Sequence, residues 1–267
     1  QMLTYLKRSG SDQTVALNSD VLVNIDLNQI FHLHNTIEQK VTVVYKKLPK
    51  ELISDVNSIL EIDESDKVLS HELFQGGDKE VYIFVVDTPF LIAKLEEEAA
   101  KEEPRKLRYV LRDLAVAENA FAYEYTGYLS NIHSVKAYFD ANLDMLESQK
   151  FYSLFAPNQK VYTKVKNEEP TYYSDSSEVK LSQFASGSIV RGKVDNSVIS
   201  RNVDLSEGSS VSHSIIFPRV KVAKGATVEY AIVDKGVEIA EGVTIRGTEN
   251  NPVVIKKGSV VTEDIVR

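Results

Sequence analysis

Residues 203–219, VDLSEGSSVSHSIIFPR, and residues 220–236, VKVAKGATVEYAIVDKG, are two copies of one pattern with a period of 17 residues. A third copy begins with VEIAEGVTI at residue 237, and an earlier one is visible in KVDNSVISRN, residues 193–202. Four columns of the aligned copies hold residues of one kind: Val203/Val220/Val237, Leu205/Val222/Ile239, Gly208/Gly225/Gly242 and Val211/Val228/Ile245. This regularity decides the fold of the C-terminal part of the chain.

Within each copy, β-branched residues recur about every six positions, with small residues such as Ser214 and Ala231 between them. This hexapeptide signature is typical of a parallel β-helix, in which three short strands form one triangular coil. Glycine permits the tight backbone turns at the corners. Known helices of this type wind left-handed. We therefore predict a left-handed parallel β-helix of hexapeptide repeats over residues 181–267.

The first 150 residues follow a different rule, because strand-like and helix-like segments alternate. TVALNSDVLVNI (14–25) is interpreted as one buried strand, and the next segment as a helix capped by Asp26. SILEIDESDKVLSHEL (58–73) has the pattern of a hairpin. Strands separated by helices indicate an α/β domain with a largely parallel sheet over residues 1–150. Residues 151–180 are polar, contain Pro157 and Pro170, and are interpreted as an interdomain linker.

The composition excludes several classes of function. The chain has 31 Lys and Arg against 39 Asp and Glu, so it lacks the basic surface of a nucleic-acid-binding protein. It contains no cysteine, which excludes thiol catalysis, disulfides and cysteine zinc sites. No apolar run is long enough for a membrane span. We expect a cytoplasmic protein with neither nucleic acid nor membrane as a partner.

Several segments resemble the bacterial glucose-1-phosphate adenylyltransferase (ADP-glucose pyrophosphorylase) family. These are LNSDVLVNIDL (17–27), GYLSNIHSVKAYFDANLDML (127–146), LFAPNQKVYTKVKNEEP (154–170) and the repeats from residue 192 onward. The resemblance implies a partial nucleotidyltransferase domain of the GT-A, Rossmann-like type, followed by the β-helix. It also implies that the glycine-rich nucleotide-binding loop of the family precedes Gln1, since no copy of that loop appears here.

In that family, a phosphate oxygen of glucose 1-phosphate attacks the α-phosphorus of ATP, and diphosphate leaves. The reaction needs Mg²⁺ and positive charge to neutralise phosphate oxygens. The resemblance implies that two aspartates hold Mg²⁺ and that a lysine contacts the sugar phosphate. Asp20 matches the first aspartate, whereas Asn131 stands in place of the second. The lysine motif corresponds to residues 68–79, and no lysine lies between Lys67 and Lys79.

Each candidate residue also has an ordinary structural interpretation. Asp20 is either a weak metal-ligand candidate or a carboxylate that caps a turn or the next helix. Asn131 is best interpreted as a turn residue that replaces the family aspartate. Ser130 and His133 suggest nucleophilic catalysis, but no acidic residue follows at a fixed spacing to orient the histidine. Ser134 is better placed to cap the helix that follows.

The departures at catalytic positions favour a degenerate, GlgD-type member of the family. Such a regulatory subunit assembles with a catalytic paralogue, is itself weakly active or inactive, and supports ADP-glucose formation for glycogen. We expect a hetero-oligomer, a tetramer in the family, or self-association. The resemblance leaves open whether this chain binds Mg²⁺, ATP and glucose 1-phosphate. A genuine catalytic adenylyltransferase is the alternative, and a hexapeptide acyltransferase using His213 is a distant one.

Overall fold

The computed structural model describes residues 2–50, 53, 58–73, 77–155, 160–164 and 166–267. The chain divides into two compact units, an N-terminal unit Gln1–Leu129 and a C-terminal unit Ser130–Arg267. Domain boundaries near residues 150 and 180 stay a prediction. Among the described residues, no helix combines the length and the apolar character needed to span a membrane.

The N-terminal unit contains helices and strands in alternation. The helices are α1 (Met2–Ser9), α2 (Leu27–Thr36), α3 (Thr88–Ala99) and α4 (Leu107–Ala117). The strands are β1 (Gln13–Leu17), β2 (Val21–Val23), β3 (Val41–Lys47), β4 (Ser58–Ile62), β5 (Val68–Leu73), β6 (Lys79–Asp87) and β7 (Phe121–Glu124). A further strand, β8 (Leu129–Asn131), spans the division between the units.

The main sheet has the order β5-β4-β6-β3-β7, and β1 also pairs with β6. The pairs β1–β6, β3–β6, β4–β5 and β4–β6 are antiparallel, and only β3–β7 is parallel. The prediction of a largely parallel sheet is therefore wrong. Along the chain, β3 is followed by the hairpin β4–β5 and not by the crossover that a parallel connection needs. β6 therefore returns beside β3 in the opposite direction.

Two local expectations for this unit have different outcomes. The segment 14–25 forms two short strands, β1 and β2, separated by a turn at residues 19–20, and not one buried strand. Asp26 is the N-cap of α2, as predicted, because its side chain accepts a hydrogen bond from Asn28 N at 3.0 Å. Side chains of β3 pack on both faces of the sheet, since Val43 and Val44 belong to different apolar clusters.

The C-terminal unit begins with helices and continues as a parallel β-helix. The helices are α5 (Val135–Leu143), a 3₁₀ helix (Asp144–Leu146) and α6 (Ser148–Leu154). One sheet of the β-helix contains β9 (Tyr172–Tyr173), β12 (Ile189–Val190), β15 (Asp204–Leu205), β18 (Lys221–Val222), β21 (Glu238–Ile239) and β24 (Val260–Val261). A second contains β10 (Glu178–Lys180), β13 (Lys193–Asp195), β16 (Ser210–Ser212), β19 (Thr227–Glu229), β22 (Thr244–Arg246) and β25 (Ile265–Val266). The third contains β11 (Gln183–Phe184), β14 (Val198–Ile199), β17 (Ile215–Ile216), β20 (Ala231–Val233) and β23 (Val253–Ile255).

The strand register confirms the repeat. The aligned residues of the second and fourth columns are direct neighbours on adjacent strands: Leu205 with Val222, Val222 with Ile239, Val211 with Val228, and Val228 with Ile245. All of these side chains are buried. The glycine column is required by the corner, because Gly208, Gly225 and Gly242 have φ values of 72°, 69° and 72°. A side chain disfavours that left-handed conformation.

A ladder of serines joins successive coils at another corner. The hydroxyl of Ser197 donates to Asp195 O at 2.7 Å and accepts from Ser214 N at 3.1 Å. Ser214 repeats the arrangement one coil further, since it donates to Ser212 O and accepts from Ala231 N. Both serines are fully buried. Each hydroxyl therefore supplies the acceptor for a buried backbone N–H of the next coil, and it donates to a carbonyl that also accepts a backbone N–H.

One outer face of the β-helix is covered by α5. The outward side chains Ile215 and Ile232 are 2% and 7% exposed, because they pack against Phe139 of α5. Ser134 Oγ accepts a hydrogen bond from Ala137 N at 3.0 Å and so caps this helix, as predicted. The segment that follows Asn131 is thus anchored on the β-helix within the C-terminal unit.

We predict that Ser197→Ala lowers the free energy of unfolding by about 1–3 kcal/mol, because it leaves the buried Ser214 N–H without its acceptor. The matched control is Ser210→Ala on β16, where no side-chain hydrogen bond is lost. Urea unfolding followed by circular dichroism measures both. Equal destabilisation by the two substitutions would contradict a structural role for the ladder.

Candidate functional site

Asp20 lies in the turn between β1 and β2 and lines a cavity of about 360 Å³. The structure thus places Asp20 at a concave surface, where the resemblance puts a metal ligand. Asp26, and not Asp20, caps the following helix. The other residues that line the cavity are Ala16, Leu17, Asn18, Ser19, Ser58, His71, Val81, Tyr82, Phe84, Leu107, Arg108 and Leu111.

A buried acid, Glu80, and a buried phenol, Tyr82, lie on β6, and the phenol lines this cavity. The Tyr82 hydroxyl donates to Glu80 Oε2 at 2.5 Å, and both residues are at most 2% exposed. Burial raises the pKa of the Tyr82 hydroxyl far above its usual value, and the nearby charges of Glu80 and Asp20 raise it further. The Asp20 carboxylate therefore acts electrostatically on the phenol. Tyr82 thus fills one wall of the cavity with a neutral, buried side chain.

His71 on β5 also lines the cavity, and it is 5% exposed. Neither ring nitrogen has a hydrogen-bond partner among the described residues. The ring stacks on Phe84 with a centroid distance of 5.7 Å. Burial, and then the charge of Arg112, lowers the pKa of the His71 imidazole to about 4. At neutral pH the imidazole is uncharged, so it supplies no positive charge for a phosphate.

The lysine of the family motif has no counterpart at the cavity in the described part of the chain. Lys67 Nζ lies over the Phe121 ring, 5.6 Å from its centroid. Lys79 pairs with Asp78 at 3.1 Å. Residues 74–76, the remainder of the matching segment, lie outside the described residues. Arg108 is the cationic side chain among the residues that line the cavity, and its guanidinium stacks on Tyr109.

The start of the segment GYLSNIH is held by hydrogen bonds from two side chains to its backbone carbonyls. Lys46 Nζ donates to Gly127 O at 2.7 Å, and Tyr125 donates to Tyr128 O at 3.2 Å. A Cβ atom at Gly127 would lie 2.3 Å from the Tyr125 hydroxyl oxygen, so a side chain there requires the Tyr125 ring to move. The residues that the sequence shares with the family here thus preserve a turn.

In the C-terminal unit, Asn131 is the last residue of β8 and is 7% exposed. Its carbonyl oxygen lies 3.2 Å from Nδ1 of His133, a residue that is itself exposed. Ser134 is used as the helix cap. The described hydrogen bonds bring no serine hydroxyl to His133, so the geometry offers no nucleophile and base pair.

Mg²⁺, which the resemblance implies, needs oxygen ligands that usually include one or two carboxylates. Among the described residues, no group of three or more His, Asp or Glu side chains is arranged to hold a metal ion. Asp20 is the carboxylate among the residues that line the cavity, and Asn131 carries a neutral amide. These residues do not fit the two-aspartate site of the family. The metal role of Asp20 stays a prediction.

Sequence reasoning missed Glu80, Tyr82 and His71. Each lies in a segment whose pattern indicates a strand, and strand patterns do not reveal which polar residue is buried. One signal was available, because Glu80 and Tyr82 are two apart on a strand and such residues lie on the same face. A glutamate and a tyrosine on the same face of an otherwise apolar strand indicate a buried hydrogen bond.

Comparison with known proteins supports both halves of the fold. The family described as "GlmU-like, C-terminal hexapeptide" matches residues 167–266. The glycogen biosynthesis protein GlgD of Bacillus subtilis is 31% identical over 261 residues, which are 98% of this chain and 67% of that relative. The chain belongs to the GlgD family. The GlgD of Geobacillus stearothermophilus is 53% identical over 127 residues, 48% of this chain and 37% of that relative.

Adenylyltransferases are also similar to this GlgD-family chain. The glucose-1-phosphate adenylyltransferase of Geobacillus stearothermophilus is 28% identical over 221 residues, 79% of this chain and 56% of the enzyme. The chain thus spans about two thirds of the Bacillus GlgD and little more than half of that enzyme. The resemblance seen in the sequence is confirmed, as is the combination of an α/β domain with a hexapeptide β-helix.

We predict that His71 makes the folded chain less stable in mild acid. The unfolded imidazole has a pKa near 6.5, whereas the folded one is held at about 4. Between these values the unfolded state binds more protons, so the free energy of unfolding falls as the pH is lowered from 6.5 to 4. The loss is at most about 3.5 kcal/mol, at about 1.4 kcal/mol per pKa unit.

Urea unfolding of the chain at several pH values between 7 and 4.5 measures this loss. His71→Leu should unfold with a shallower pH dependence, and His32→Gln, at an exposed histidine on α2, should behave like the unsubstituted chain. The same pH dependence in His71→Leu and the unsubstituted chain would contradict the prediction.

Proposed function

We propose that this chain is a non-catalytic or weakly catalytic regulatory subunit of ADP-glucose pyrophosphorylase, acting in glycogen biosynthesis. The observation that carries the proposal is the cavity at Asp20, whose described lining residues include the buried Tyr82 and His71 but no lysine. The GlgD relatives, whose printed name is glycogen biosynthesis protein, support the pathway.

The electrostatics of the cavity oppose phosphoryl transfer. A nucleotide and a sugar phosphate bring several negative charges, which a catalytic site must neutralise with metal ions and cationic side chains. Here the negative charges of Glu80 and Asp20 act on the buried Tyr82, and the buried His71 imidazole is neutral. Asn131 replaces a charged ligand by an amide. We propose that the chain does not hold catalytic Mg²⁺, ATP and glucose 1-phosphate in a reactive arrangement.

The partner in this proposal is a catalytic paralogue. We propose a hetero-oligomer, with a tetramer as the expected stoichiometry, located in the cytoplasm. The β-helix is the proposed assembly domain. Support comes from its last coil, where Val254, Val260 and Val266 are 45%, 68% and 61% exposed, an unusual exposure for valine. Self-association through the same coil is the alternative arrangement.

A genuine catalytic adenylyltransferase is the second candidate. The similarity to the Geobacillus enzyme over 79% of this chain favours it. The distant alternative, a hexapeptide acyltransferase, receives no support from His213. That residue occupies a coil corner with φ 44° and stacks on Tyr230, 4.8 Å between ring centroids.

We predict that the full-length protein alone, supplied with ATP, glucose 1-phosphate and Mg²⁺, turns over at least about 100-fold more slowly than its catalytic paralogue. A loss of this size is typical when a single preorganised polar group is removed from a catalytic site. ADP-glucose formation is measured with each protein alone and with the two together. Turnover of the lone protein near that of the paralogue would establish the second candidate instead.

The matched variants ask whether the substituted groups cause the low activity. Asn131→Asp together with Leu73→Lys restores the family's charges, and we expect it to raise turnover above that of either single substitution. Asn250→Asp together with Leu181→Lys makes the same two changes of charge at exposed positions elsewhere and should leave turnover unchanged. Equal turnover in all variants would place the cause outside these positions.

A further inference from the structure

A second cavity, of about 710 Å³, lies along β5 and the C-terminal half of α4. Among the described residues it shares only His71 with the cavity that Asp20 lines. We call it the β5–α4 groove. The residues that line it are Leu69, Ser70, His71, Glu72, Arg112, Asp113, Val116 and Ala117. The family resemblance assigns it no role.

The imidazole of His71 gives this groove an unmet hydrogen-bonding demand. The side chain is 95% buried, and neither nitrogen has a partner among the described residues. A buried polar group without a partner costs about 1–3 kcal/mol, so such groups in native proteins usually meet a water, an ion or a ligand. A neutral imidazole offers one N–H donor and one acceptor.

Arg112 brings a guanidinium to the same groove with little competition from carboxylates. Its closest carboxylate oxygen, Asp113 Oδ1, is 3.6 Å from Nε, beyond hydrogen-bond length. The other oxygen of Asp113 accepts a hydrogen bond from Arg105 at 2.7 Å. Asp113 is therefore neutralised chiefly by Arg105, which leaves the donors of Arg112 available.

The remaining acidic group of the groove is Glu72, which is exposed and so remains solvated. Ser70 is already committed, because its hydroxyl donates to Glu61 at 3.0 Å. The groove thus combines one guanidinium, one buried imidazole and an apolar wall of Leu69, Val116 and Ala117.

We propose that the β5–α4 groove binds a small oxyanion, a phosphate or a carboxylate, through the Arg112 guanidinium and the His71 imidazole. An oxyanion supplies acceptors for the guanidinium donors, which bind planar or tetrahedral oxyanions in bidentate fashion. It also accepts the imidazole N–H. Arg112 takes no part in the proposed regulatory function, whereas His71 also lines the Asp20 cavity and lies in the segment 68–79 that the resemblance matches to the lysine motif. The Arg112 variants therefore test this inference separately from the proposed function.

The test is a titration of the ¹³C-histidine-labelled chain with potassium phosphate, at ionic strength held constant with KCl. The chain has five histidines, so single substitutions assign the His71 ring signal. We expect a saturable shift of that signal with a dissociation constant of about 1 mM or lower. A bound anion should also raise the pKa of His71, since it favours the protonated ring. A parallel titration with acetate distinguishes a carboxylate ligand from a phosphate.

Two arginine variants locate the site. Arg112→Gln should weaken binding at least about tenfold, because it removes the charged donor, and Arg112→Lys should weaken it less. Arg108→Gln, in the Asp20 cavity, should leave binding unchanged. Unshifted signals of the other four histidines report that each variant remains folded. No saturable shift with either anion, an equal shift in Arg112→Gln, or loss of binding only in Arg108→Gln would overturn the proposal.

Discussion

The C-terminal unit depends on the stacking of branched aliphatic side chains in the interior of the β-helix. Leu205, Val222 and Ile239 lie one above another, as do Val211, Val228 and Ile245, and all six are buried. Such stacking requires the same side-chain volume in every coil, which fixes the period of the sequence. Glycine in the left-handed conformation forms the corner at which a strand ends. The side chains on the outer face follow the same register. Ile215 and Ile232 form a column there, and α5 packs on this column.

The same surface of the β-helix also holds α5, the helix that follows the segment GYLSNIH. Ser134 begins α5, and Phe139 of α5 packs against the β-helix, so the segment that follows Asn131 is part of the C-terminal unit. The two positions that the family resemblance matches to aspartates fall in different units. Asp20 and the cavity belong to the N-terminal unit, whereas the neutral amide that replaces the second aspartate belongs to the C-terminal one. In the proposed assembly, a partner that engages the β-helix would act on a unit that carries part of the former site.

The β-helix could be predicted from the sequence because each of its constraints is repeated. A single valine says little, but Val203, Val220 and Val237 in register specify a stacked column. The direction of the strands in the N-terminal sheet could not be predicted in this way, because the pattern of β6 is the same whether it runs parallel or antiparallel to β3. Helix caps could be predicted from the sequence, since Asp26 and Ser134 act within a few residues of their own position.

The buried polar groups of the candidate site could be predicted from one sequence only in part, because the spacing of Glu80 and Tyr82 gives their common face but not their burial. In the sequence, His71 has the pattern of an ordinary strand residue. In the structure, its ring stacks on Phe84 and lines the groove between β5 and α4. The hydrogen bond between Tyr82 and Glu80 likewise depends on the burial of both residues. The absence of charge at Asn131 was visible, because the resemblance supplied the residue expected there. What the structure adds is the cavity beside Asp20, which the buried Tyr82 and His71 line.

The most direct test of the account is the oligomeric state of the full-length protein co-expressed with its catalytic paralogue. Size-exclusion chromatography with light scattering measures it at micromolar concentration. The account predicts one species that contains both chains and forms ADP-glucose faster than the paralogue alone. Separate elution of the two proteins, with unchanged activity of the paralogue, would contradict it.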